Sequence, residues 1–61
     1  MKPLTPVDDA LQAALGFARD RLLVAQMKIA AGDAYEAAKE IRAAAETLQA
    51  ALDATREDIA A

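Results

Sequence analysis

Apolar residues recur along the first half of the chain at Leu11, Leu15, Ala18, Leu22, Ala25 and Ile29. The steps alternate between four and three, which is the spacing of an a/d stripe on an α-helix that packs against another helix. In the second half the matching series is Ala34, Ala38, Ile41, Ala45, Leu48, Leu52, Thr55 and Ile59, and Ala37, Ala44 and Ala51 widen its apolar side. Large and small residues mix along both stripes, so the facing layers can interdigitate. The pattern predicts one helical domain over 1–61, with helix 1 at about 6–31, a turn at 32–33 and helix 2 at about 34–59.

The ends of these helices carry their own signals. Thr5 suits an N-cap and Pro6 the first helical position, and Asp8 falls three residues after Thr5 as in a capping box. Asp8 and Asp9 also suit the positive end of the helix dipole. Gly32 is the residue best able to adopt the left-handed conformation that closes a helix, and Lys28 places a cation in the turn before it. Asp33 followed by Glu36 repeats the N-cap pattern at once. A stop met directly by a start predicts a tight αα-hairpin rather than one continuous helix. Gly16 is the one interior residue that weakens helix 1, by about 1 kcal/mol relative to alanine, unless it serves close approach of another helix.

Helix 1 has more large apolar residues than one stripe holds. Phe17, Leu23, Val24 and Met27 lie off the a/d positions. One mate helix cannot cover them as well as the stripe, so the sequence predicts a second contact surface. The expected fold is therefore all-α: a two-helix antiparallel hairpin that dimerises into a four-helix bundle, a two-fold dimer being the commonest closed assembly. The expected interface joins that edge to the stripe residues Leu11, Leu15, Leu22, Ile29, Ile41, Leu48 and Leu52.

Composition sharpens this expectation. A chain of 61 residues is marginal on its own, and with no cysteine and no histidine it lacks the disulfides and soft metal ligands that stabilise many small domains. Eighteen residues are alanine, which favours helix but buries little area, so the apolar fraction of 56% overstates the core. Association is the remaining source of burial. The net charge is −3, unevenly spread: residues 1–31 hold four cations against three anions, and residues 32–61 hold three against seven. That balance does not favour nucleic-acid binding by bulk charge. Arg42 with Glu46, Glu36 with Lys39, and Asp53 with Arg56 stand at helix-neighbour spacing and are expected as surface ion pairs. The start of the chain has no signal-peptide pattern, and the near-apolar run at 22–31 is interrupted by Gln26 and Lys28, so a cytoplasmic protein without a membrane span is expected.

Chemistry-bearing motifs are sparse. Without histidine, cysteine or serine the usual nucleophile–base sets are missing. The two glycines do not build a phosphate loop, and no Glu-x-x-His motif is present for a di-metal bundle. No enzyme activity, cofactor or metal is expected.

Length, the two-helix pattern, the Asp33-Ala34-x-Glu36 turn and the stripe phase together resemble the Rop family of small plasmid regulators of RNA–RNA pairing. The resemblance implies an antiparallel dimeric four-helix bundle that binds paired RNA loops through helix 1. Phe17, Arg21 and Lys28 stand at the places of that family's exposed phenylalanine and of the polar residues four and eleven positions later. Two further positions of its RNA face fall on Pro6 and Ala13 and do not match. The sequence thus leads first to a non-enzymatic hairpin that self-associates or covers an apolar surface of a protein partner. RNA binding through Phe17, Arg21 and Lys28 is the alternative.

Overall fold

The computed structural model describes residues 5–60, with side chains as far as Arg56. Two helices pack against each other, α1 at Pro6–Ala30 and α2 at Ala34–Ala60, as an all-α helical hairpin with no strand among the described residues.

Helix α1 begins in a complete capping box. The Asp8 backbone N–H donates to Thr5 Oγ1 at 3.1 Å, and the Thr5 backbone N–H donates to Asp8 Oδ2 at 3.2 Å. Pro6 follows at the first helical position, where its missing N–H costs nothing. At the other end Gly32 takes φ +81°, the only positive φ among the described residues. Its N–H donates to the Ile29 carbonyl at 3.0 Å, and the Asp33 N–H donates to the Lys28 carbonyl at 2.8 Å. These two bonds make a Schellman motif and satisfy carbonyls that the helix end would otherwise leave open.

Asp33 also opens α2, with Oδ1 accepting from the Glu36 N–H at 3.1 Å and its carbonyl accepting from the Ala37 N–H at 3.1 Å. The reciprocal half of this second capping box is absent: the Asp33 N–H is already bonded to Lys28, and Glu36 pairs with Lys39 at 3.6 Å instead. One residue closes one helix and starts the next, so the corner is only three residues long.

Alanine forms the seam between the helices. Ala14, Ala18 and Ala25 of α1 and Ala37 and Ala44 of α2 are the buried apolar residues, all at 8% exposure or less. For α2 this departs from the expected stripe. Ala38 and Ala45 are exposed, and Ala37 and Ala44 face the mate, so α2 is turned by close to one residue step, ~100°. Heptad spacing fixes which residues share a row, but several adjacent rows of α2 are apolar, and spacing alone does not say which one meets the mate. Small side chains win the seam because they let the two backbones approach closely. Ile59 of the expected stripe lies outside the described side chains.

The Cα atoms span 44 × 26 × 9 Å with a radius of gyration of 14.3 Å, against ~10.5 Å for a compact domain of this length. The hairpin is a single layer of two helices.

Candidate interaction surface

Each helix carries a row of large apolar residues, and the two rows lie on the same side of the alanine seam. Leu15, Leu22 and Ile29 of α1 are 57%, 43% and 58% exposed, and Ile41 and Leu52 of α2 are 46% and 54% exposed. Leu11 and Leu48 are half-buried among them. Leu15, Ala18, Leu22, Leu23 and Leu48 line one shallow groove of about 290 Å³, with Arg19 and Gln26 along its α1 margin. A second depression of about 250 Å³ continues it between Leu11, Leu15, Leu48 and Leu52, over Ala14 and Ala51. The two share Leu15 and Leu48, so one apolar face crosses both helices toward the open end of the hairpin.

The opposite face differs in character. Phe17 lies five residues before Leu22, ~140° around the helix, and Val24 lies two turns beyond Phe17 on the same side. Phe17 is 43% exposed and Val24 half-buried. The Arg21 guanidinium sits 5.0 Å from the centroid of the Phe17 ring, and its Nη1 donates to Glu40 Oε2 of α2 at 3.2 Å. Arg21 is therefore held between an aromatic ring and a carboxylate of the other helix. Lys28 is half-buried, two turns closer to the corner.

The edge expected from Phe17, Leu23, Val24 and Met27 is thus not one surface. Leu23 joins the apolar groove, Phe17 and Val24 belong to the reverse face, and Met27 is 70% exposed and lines neither depression. Helical angles explain the split, since Phe17 and Leu23 stand ~120° apart. The larger unsatisfied surface is formed by the stripe residues themselves, which the alanine seam leaves outside.

Among the expected surface ion pairs only Glu36–Lys39 lies within 4 Å in the described residues. Asp53 accepts from Gln49 Nε2 at 2.9 Å instead of meeting Arg56. The Arg21–Glu40 pair is not one that helical spacing predicts: the two residues are nineteen positions apart, and only the hairpin register brings them together. Tyr35, 72% exposed, has the Lys39 ammonium 4.6 Å from its ring centroid, an aromatic–cation pair one turn apart that helical spacing alone allows.

Among the described residues no group of three or more acidic, histidine or cysteine side chains is placed to hold a metal ion, and no helix is long and apolar enough to cross a membrane. No buried side-chain polar atom lacks a hydrogen-bond partner there, and no charged or polar residue is buried. What this surface offers is apolar area. Comparisons with family models, with curated proteins and with solved structures found no match for this chain.

Proposed function

We propose that the protein is a non-enzymatic helical-hairpin interaction module of the cytoplasm, whose apolar face is covered by a second copy of itself or by an apolar surface of a protein partner. One observation carries this reading: Leu15, Leu22, Ile29, Ile41 and Leu52 are each more than 40% exposed on a single-layer hairpin whose own seam is alanine. A layer of helices with one apolar side needs a second layer to bury it. Two hairpins packed on these faces make a four-helix bundle with the leucines and isoleucines at its centre.

Analytical ultracentrifugation across micromolar concentrations tests this. The expected species has about twice the chain mass of 6.4 kDa, and Leu22→Asp reduces it to the monomer with loss of helical circular dichroism. A helical monomer of undiminished stability that retains no partner in a tagged pull-down from its native host would end the proposal.

The RNA-binding alternative has its own support. Phe17 and Arg21 are stacked on the reverse face, which a bundle of this kind leaves open. Against it stand the bond from Arg21 to Glu40 and the net charge of −3. This reading expects salt-dependent binding to a kissing-loop RNA that Arg21→Ala abolishes. Absence of a mobility shift at low salt removes it.

A further inference from the structure

The two margins of the apolar face differ in the size of their side chains. Along α1 the margin is Gln12, Arg19 and Gln26, all long, polar and exposed; along α2 it is Ala38, Ala45 and Leu52. Both sets repeat every seven residues, so each forms one row beside the large apolar row of its helix.

The hairpin register aligns these rows. Arg21 meets Glu40, and Leu15 shares both depressions with Leu48. To within about one helical turn, Gln26 is therefore level with Ala38, Arg19 with Ala45, and Gln12 with Leu52.

The free area suits a second copy. The chain exposes 4870 Å², against ~3,800 Å² for a compact monomer of its mass. The excess, about 1,000 Å², matches what one partner gives up in a stable interface, ~800 Å².

Two face-to-face arrangements have two-fold symmetry. In one, α1 lies over the partner's α1 and the two corners point to opposite ends. With full overlap the axis then passes the middle of α1, beside Ala18 and Arg19. Arg19 would face the partner's Arg19, and among the described residues no carboxylate lies within 4 Å of Arg19 to offset the repulsion. In the other, α1 lies over the partner's α2 and both corners point to the same end. Arg19 and Gln26 then lie across the small residues Ala45 and Ala38 of the partner's α2, and Gln12 lies across its Leu52. Arg19 extends its stem over the partner's Ala45.

We infer that the second copy docks in this latter way, α1 over the partner's α2, with both corners at one end of the bundle. The inference rests on the self-association reading above. The native chain has no cysteine, so a single introduced thiol reports alone. Ala31→Cys places a spin label at the corner, on the side of α1 away from the apolar face. Pulsed dipolar electron spin resonance then measures the distance between the two labels of a dimer. Corners at one end put the labels across a bundle diagonal, about 20–30 Å apart given helix spacings of 8–10 Å. Corners at opposite ends separate them by about 40 Å, the length of helices this long. The short distance is the expected result; the long one overturns the arrangement and leaves self-association standing. A monomeric mass with no dipolar signal overturns both.

Air oxidation of two variants gives a second readout that does not depend on the corner. The doubly substituted Arg19→Cys, Ala45→Cys chain is expected to form covalent dimers and Arg19→Cys alone is not. A disulfide dimer of the single variant at full yield overturns the arrangement.

Discussion

Gly32 and Gly16 are the two glycines of this chain, and their surroundings give them opposite roles. Gly32 holds φ +81°, where a side chain costs ~1–2 kcal/mol even though a Cβ there would meet nothing within 4 Å. Gly32→Ala is expected to lower stability by about that amount in urea denaturation; an unchanged midpoint would mean that the corner has another conformation. Gly16 lies inside α1, and a Cβ built on it also meets nothing within 4 Å. No close approach within the hairpin accounts for it. Gly16→Ala is therefore expected to raise stability by ~1 kcal/mol, seen as a higher thermal midpoint. A fall instead would show that another chain packs against this point.

At the scale of the elements, the helices are bounded by side chains that bond their own ends, and they are joined by residues too small to form a wide core. Ala18, Ala25, Ala37 and Ala44 are 2–3% exposed, so nothing larger fits between the helices without moving them apart. Ala18→Leu and Ala44→Leu are each expected to cost ~1–3 kcal/mol by overpacking. Ala50→Leu, on an exposed position of α2, is expected to change stability by less than ~0.5 kcal/mol. Thermal unfolding followed by circular dichroism separates the two classes. Equal effects at all three sites would place the seam elsewhere.

For the whole molecule the governing fact is shape. A single layer of two helices has no interior on its apolar side, so stability depends on whether that side is covered. If the cover is a second copy, the thermal midpoint rises with protein concentration. An unfolding enthalpy of ~0.7 kcal/mol per residue for two chains gives about 6 °C per tenfold increase. A midpoint independent of concentration would count against self-association.

The helix ends and the corner are legible in the amino-acid sequence alone, because capping is local: Thr5 with Asp8, and Gly32 with Asp33, act within a few residues of each other. The existence of an apolar stripe on each helix is equally legible, since a period of three and four is a property of one helix. Which row of that stripe faces the mate is not. Leu22 and Ala18 belong to adjacent rows of one pattern, and only docking two helices decides that the alanines meet and the leucines stay outside. The same step splits Phe17 from Leu23 and brings Arg21 to Glu40 across nineteen residues. Periodicity sets the spacing along a helix, whereas its rotation about its own axis is settled by the packing of one element on the next.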